Sequence, residues 1–332
     1  METLVCRAEE PGVLERAGRL IREGSLVGFP TETVYGLGAD ALNGAACAAV
    51  FAAKGRPADN PLISHICSEQ MGEMIAEFTP MAEKLAARFW PGPLTMVMPK
   101  RAVVPDTVTA GLDTVGVRWP VDKVAVAFIA AAGTPVAAPS ANLSGRPSPT
   151  TAQHVYEDMA GKIPLILDGG SCSIGLESTV VDVRGKYPVL LRPGRITAEE
   201  LQEICGGCLF PSKKDASRPA APGMKYRHYA PRGNVYLAED GAEALLIADR
   251  LPALPLFLVS AETAETLTAH GVPAARVRVL FHRADPAPYA RAVFAALRDA
   301  DSDEEGEIVA EKVAETGLGL AIMNRLKKAA AK

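Results

Sequence analysis

The sequence predicts an α/β protein built as two domains, and three observations carry that reading. Short apolar runs bounded by glycine or proline recur in the first part of the chain (Ser25–Phe29, Leu94–Met98, Thr134–Ala138 and Leu165–Asp168), with helical patterns between them. Regular patterning then stops from Gly206 to Gly233. Beyond it, strand-like runs at Asn234–Leu237, Pro255–Val259, Val277–Leu280 and Ile308–Ala310 alternate with helical patterns. Alternation of that kind implies a small parallel sheet with helical crossovers. A length of 332 residues suits two domains. Their expected bounds are 1–205 and 234–332, joined by a linker over 206–233.

Composition narrows the function classes. Apolar residues make up 48% of the chain, enough for a substantial core. The net charge of −4 gives no global basic field for nucleic acid, so any RNA contact is expected to be local or transient. The first residues, Met1 to Glu10, lack the basic and apolar regions of a secretory signal. No apolar stretch is long enough to cross a bilayer, and no membrane partner is expected. Cysteines at 6, 47, 67, 172, 205 and 208 sit mostly in apolar surroundings and read as reduced thiols of a cytoplasmic protein. Cys205-Gly-Gly-Cys208 has metal-binding spacing, but no second pair completes four ligands, and it reads as a helix end. Metal ligands are not assigned.

In chain order, Val13–Glu23 reads as an amphipathic helix and Ser25–Phe29 as a buried strand. Pro30–Asp40 reads as a strand-to-helix connection, and Asn43 as the N-cap of a helix over Gly44–Lys54. Gly55 ends that helix, and Pro57 and Pro61 stiffen the exit, so Lys54 and Arg56 sit on a rigid loop. Fixed cations suit an anionic ligand, whereas the plain alternative is a solvated helix C-terminus. Within the connection, Gly36-Leu-Gly-Ala-Asp-Ala41 matches a dinucleotide fingerprint, with Asp59 at about the right spacing. Against that NAD reading, Thr31-Glu32-Thr33 separates strand from glycines, and Asp59 precedes its neighbouring strand, Leu62–Ile66.

His65, near the end of that strand, reads as a structural histidine. Helical patterns cover 69–89 with a break at Pro80, and Thr114–Trp119 is a strand ending at Arg118, whose expected partner is a carboxylate. Asp122–Ala132 is a helix. The loop after the Thr134–Ala138 strand carries Ser140, Asn142, Ser144, Ser148 and Thr150. Ligands of open α/β sheets bind outside strand ends, which favours a site over ordinary turn chemistry. The backbone amides of Gly169–Thr179 offer a second anion-binding loop. Ser178–Val183 and Pro188–Arg192 form a hairpin, with a helix near Ala198–Ile204 behind it. The linker carries Lys213, Lys214, Arg218, Lys225, Arg227 and Arg232 against one acid, Asp215.

Five ordered blocks resemble the YrdC-like threonylcarbamoyl-AMP synthases, in their longer two-domain branch. They are Phe29-Pro-Thr-Glu-Thr-Val-Tyr-Gly-Leu-Gly38, Lys54-x-Arg56 with Ser140-x-Asn142, Ser178-Thr-Val-Val-Asp182, the linker Pro222–Pro231, and the tail Gly317–Leu326. Trp119 departs from the pattern, where a smaller apolar residue is expected. The resemblance implies an open twisted α/β sheet with a basic concave face, followed by a smaller Rossmann-like domain. It implies a nucleotidyltransferase that makes threonylcarbamoyl-AMP and pyrophosphate from L-threonine, bicarbonate or CO2, and ATP. Mg2+ is expected to arrive with ATP. Downstream tRNA threonylcarbamoyl-transferase proteins would pass the group to an adenosine beside the tRNA anticodon. By the same resemblance Lys54 and Arg56 are catalytic. Lys54, Arg56, Asn60, Thr114, Ser140, Asn142, Ser148, Arg192 and Tyr229 are implied around ATP, and Thr33, His65, Arg118, Ala138 and Ser178 around threonine. Arg118 would clamp the threonine carboxylate, because a guanidinium fork matches two oxygens. Tyr226–Tyr229 of the linker are expected to fold over the nucleotide as a lid. A non-catalytic module binding double-stranded RNA or tRNA is the competing reading.

Overall fold

The computed structural model of the chain describes residues 1–211, 229–300 and 306–331. Of the expected linker, residues 212–228 lie outside the described residues, and with them Tyr226, Arg227 and His228 of the expected lid. The chain divides into two compact units. The first holds Met1–Ser144, Ser148–Ser173 and 177–211; the second holds Gly145–Pro147, Ile174–Leu176 and 229–331. Two short loop segments from the first part of the sequence thus group with the second unit, which a linear boundary at 205 does not anticipate.

The first unit runs β1 (Leu4–Arg7), α1 (Val13–Arg22), β2 (Val27–Phe29), β3 (Gly36–Asp40), α2 (Gly44–Lys54), β4 (Ile63–His65), α3 (Glu69–Glu73), α4 (Pro80–Phe89), β5 (Leu94–Pro99) and α5 (Asp106–Thr109). It continues with β6 (Thr114–Arg118), α6 (Lys123–Ala132), β7 (Val136–Ala138), α7 (Ala152–Met159), β8 (Leu165–Asp168), β9 (Thr179–Asp182), β10 (Val189–Arg192) and α8 (Ala198–Cys205). Its ten described strands form one sheet in the order β1-β8-β2-β3-β7-β4-β6-β5-β9-β10. Parallel and antiparallel pairs are mixed: β4 runs parallel to β6, while β5 runs antiparallel to β6.

Local chemistry explains the elements that frame the site. Asn43 caps α2 by accepting from the amides of Ala45 and Ala46, and Gly55 closes it in the left-handed region at φ 61°. Asp122 caps α6 by accepting from Ala125 N. α1 and α6 bury Ala17, Ile21, Phe128 and Ile129 against Phe29 and Leu167 of the sheet. The larger of these, Ile21, Phe128, Ile129, Phe29 and Leu167, each contribute about 1.5–3 kcal/mol on burial.

The segment expected to connect strand to helix is itself a strand. Gly36–Asp40 pairs antiparallel with β2, and its end pairs with β7. The two glycines of the dinucleotide-like motif therefore lie inside a sheet and not at a phosphate-binding turn. Their smallness serves packing: a Cβ at Gly36 would lie 2.8 Å from the Phe29 ring, and one at Gly38 2.8 Å from Val136 Cγ1. That geometry overturns the NAD reading.

In the second unit, β11 (Val235–Ala238), α9 (Gly241–Ala248), β12 (Leu256–Ser260), α10 (Ala261–Ala269), β13 (Val277–Phe281), α11 (Ala287–Ala300), β14 (Ile308–Glu311) and α12 (Leu318–Ala330) follow in turn. The strands lie in the order β11-β14-β12-β13, every pair parallel, as the alternating pattern predicts. Phe257, Val259, Leu267 and Val309 form the centre of this unit's core.

Overpacking beneath Phe29 gives a direct check. Gly36→Ala and Gly38→Ala are each expected to destabilise the protein by about 1–3 kcal/mol in urea unfolding. Wild-type stability in both would show that the strand does not pack this closely.

Candidate active site

Strand register builds the centre of the site. His65 of β4 pairs with Arg118 of β6, and Arg118 pairs with Thr95 of β5. Directly paired residues share a face, so these three polar side chains form a row across the middle of the sheet. All three are buried, in a sheet whose other strand residues are mostly apolar. Ser178, just before β9, joins the row through Thr95: the two hydroxyls lie 2.8 Å apart. Arg192 of β10 donates to the Ser178 carbonyl from Nε (3.1 Å) and Nη2 (3.0 Å), and to its hydroxyl at 3.1 Å.

A tight turn delivers the remaining members. The Thr31 hydroxyl donates to the Val34 carbonyl and accepts from the amides of Thr33 and Val34. This fixes Thr33, whose hydroxyl accepts from Arg118 Nη1 at 2.8 Å. Glu32, between the two threonines, places Oε1 2.7 Å from Arg118 Nη2, with both side chains about 95% buried. The carboxylate expected beside Arg118 is therefore a protein acid in this structure. Ala138 ends β7 beside Ile63 of β4, two residues along from the level of His65, which pairs with Val136.

Burial pushes the His65 imidazole down to about 3, and the Arg118 guanidinium adds to the shift; the Val136 and Ile63 carbonyls oppose it. His65 is neutral near pH 7, its Nδ1 donating to the Ile63 carbonyl at 3.1 Å, and its ring edge-on to Phe29. Burial also pushes the Cys172 thiol well above its usual range.

The second cluster surrounds the end of α2. Lys54 is 3% exposed, and its Nζ donates to the carbonyls of Ser140 (2.5 Å) and Asn142. Its own carbonyl accepts from Ser144 N at 2.9 Å. The Ser140 hydroxyl donates to Asn142 Oδ1, and Asn142 Nδ2 donates to the Leu143 carbonyl. Lys54 is thus the fastening of the Ser140–Asn142 loop. Arg56 Nη2 donates to the carbonyls of Asn60 (3.2 Å) and Pro61 (3.1 Å), closing the proline-stiffened loop on itself. Asn60 is 1% exposed, and neither of its amide atoms has a partner among the described residues. A buried amide without partners is costly.

Other expected positions stand apart. Thr114 begins β6 opposite Pro99, four residues before Arg118 and hence about 13 Å along the strand. Ser148 donates to Glu177 Oε1 and is fully buried. Tyr229 belongs to the second unit, where its ring packs on Phe294 at 5.1 Å and beneath the Arg325 guanidinium at 5.7 Å. Part of the expected anion-binding loop over Gly169–Thr179 has its amides engaged within the protein. The amides of Gly169, Gly170, Cys172 and Thr179 already donate to Tyr35 Oη, Asp168 Oδ1, Thr150 O and Pro93 O.

Glu32, Thr95 and Glu177 were not among the expected site residues. Each carried a faint signal: an acid between two hydroxyls, a lone hydroxyl in the apolar run Leu94–Met98, and an acid beside Ser178. Among the described residues, no group of three His, Cys, Asp or Glu side chains is placed to hold a metal ion.

Comparison with known proteins bears on the whole chain. The Sua5–YciO–YrdC family model, described as "Telomere recombination", matches residues 19–194. A second model, "Threonylcarbamoyl-AMP synthase, C-terminal domain", matches 196–331. The chain belongs to the threonylcarbamoyl-AMP synthase family. A threonylcarbamoyl-AMP synthase of Pyrococcus abyssi is 48% identical over 328 residues, covering 97% of this chain and 95% of the relative. One of Bacillus subtilis is 43% identical, covering 96% and 92%. The crystal structure of P. abyssi Sua5 complexed with L-threonine superposes with a TM-score of 0.88 at 45% identity, covering 99% of this chain and 97% of that one. The two-domain branch expected from the sequence is therefore the right one, and members bearing this name are adenylyl-transferring enzymes.

The depressed His65 gives a pH test. The folded state holds it neutral and the unfolded chain protonates it near 6.5, so its contribution is complete above about 6.5 and is lost as pH falls toward about 3. Between pH 7 and 4.5 a His65→Gln variant should lose about 2 kcal/mol less stability than wild type. Urea unfolding at the two pH values measures this; equal losses would mean that His65 titrates normally.

Proposed function

We propose that the chain is an L-threonylcarbamoyladenylate synthase. L-Threonine, CO2 or bicarbonate, and ATP give threonylcarbamoyl-AMP and pyrophosphate, for modification of tRNA at position 37. The carrying observation is the pairing of two buried clusters, one polar row around Arg118 and one loop system around Lys54, in a chain whose full-length relatives bear that name.

The chemistry asks for positioning and charge more than for a dedicated acid at the phosphorus. Carbamate oxygen attacks the α-phosphorus in line, and pyrophosphate leaves. Arg118 receives the threonine carboxylate, Thr33 and Ser178 bound the pocket, and neutral His65 and the Ala138 backbone shape it. Arg56 and Asn60 face the phosphates. Lys54 holds the loop whose Ser140 and Asn142 meet the nucleotide, so its positive charge and its fastening role act together. Ser148, Thr114 and Arg192 complete the nucleotide side. The described residues offer Mg2+ no cluster of ligands, so we assign it none; triphosphate oxygens and water suit it as carriers. Among the described residues no helix is long and apolar enough to cross a membrane, and the proposed setting is the cytoplasm, where the product passes to tRNA-modifying partners.

Purified protein incubated with ATP and bicarbonate should release pyrophosphate only when L-threonine is added. Release that ignores threonine would refute this reading. Lys54→Ala and Arg56→Ala should each lower kcat/KM by about 10²–10³-fold, on the order of 2–4 kcal/mol of transition-state stabilisation. Wild-type turnover in both would remove the phosphate assignment.

A further inference from the structure

We propose that Glu32 is a catalytic residue: its carboxylate binds the α-ammonium group of the amino acid and takes the proton that nitrogen must lose before it is carboxylated. The proposal rests on the function proposed above and adds a residue to the same site.

Three features of the structure carry it. First, Glu32 is 5% exposed, and neither of its oxygens accepts an aligned hydrogen bond from any described residue. A carboxylate has about four acceptor sites, and burying it without donors is expensive. Its contact with Arg118 Nη2 at 2.7 Å balances charge without supplying those donors. A ligand rich in N–H groups does supply them, and an ammonium group carries three.

Second, the charges fit a zwitterion. Glu32 and Arg118 are opposite charges in contact, held in place because Arg118 also donates to Thr33. Of the neighbouring titratable groups, His65 is held neutral and the Cys172 thiol is held protonated by its burial, while the Arg192 guanidinium sits on Ser178 at the far end of the row. An α-amino acid carries its ammonium and carboxylate on one carbon, so a guanidinium and a carboxylate side by side meet both ends. A ligand with a carboxylate alone would satisfy Arg118 but face repulsion from Glu32.

Third, the reaction needs a proton acceptor at this point. An ammonium nitrogen has no lone pair. One N–H proton passes to a Glu32 oxygen, which frees the pair to attack the carbon of CO2. The N–C bond forms as one C=O pair moves onto oxygen. The nitrogen releases a second proton to water, leaving the carbamate anion, and Glu32 later returns its proton to solvent. No oxidant or cofactor enters the balance.

Calorimetric titration of the full chain tests the proposal with two ligands. One is L-threonine; the other is its 2-hydroxy counterpart, 2,3-dihydroxybutanoate of matching configuration, which keeps the carboxylate and side-chain hydroxyl but lacks the ammonium. Wild type should prefer threonine by roughly 10–100-fold, the scale of a hydrogen bond to a charged group. Glu32→Gln should reduce that preference to within about threefold, while Glu32→Asp keeps most of it. In steady state Glu32→Gln should lose threonine-dependent pyrophosphate release with the KM for ATP changed less than about threefold. Full preference for threonine in Glu32→Gln would overturn the assignment. So would equal binding of both ligands by wild type, a result that needs no variant to fold. Wild type that neither binds threonine nor depends on it for pyrophosphate release would instead overturn the underlying function.

Discussion

The first unit is organised around one buried ion pair, Glu32 with Arg118. Removing two charges from water is unfavourable, and a buried pair of this kind rarely stabilises a fold as well as apolar side chains of similar volume. Its retention at the centre of a sheet therefore points to chemistry. Everything near it serves to fix it. The Thr31 turn presents Thr33 and Glu32, the β4-β6-β5 register presents Arg118 between His65 and Thr95, and Phe29 lies flat enough on Gly36 and Gly38 to back the row. Arg118 is thus held in place by Glu32 and Thr33 before any ligand is considered.

The loops around Lys54 follow a different strategy. The row around Arg118 is held by strand register, whereas the loops around Lys54 are held by lysine and arginine donating to backbone carbonyls. Asn60 stands at the junction, with its amide directed at no described residue. The two clusters share the Ser140 loop, since Ser140 bridges to Gly36 of β3 while its carbonyl accepts from Lys54.

Much of this was legible in the sequence. Helix ends were, because Asn43, Gly55 and Asp122 act through local chemistry that neighbours do not alter. The second unit's parallel sheet was, because alternation is a periodic signal. Gly36–Asp40 was misread, because its glycines look like a turn, whereas they serve close packing against Phe29 of the paired strand and Val136 of β7, contacts that arise only when the strands pair. In Gly169–Thr179, which amides are engaged depends on Pro93, Tyr35 and Thr150, which the local sequence does not show. The site residues of the motif blocks came from family resemblance. Glu32, Thr95 and Glu177 came only from register and burial.

A crystal structure of the chain with L-threonine bound tests the central claim most directly. The account predicts the α-carboxylate on the Arg118 guanidinium and the α-nitrogen within hydrogen-bond distance of a Glu32 oxygen. An amino acid bound with its nitrogen turned away from Glu32 and its carboxylate off Arg118 would contradict it.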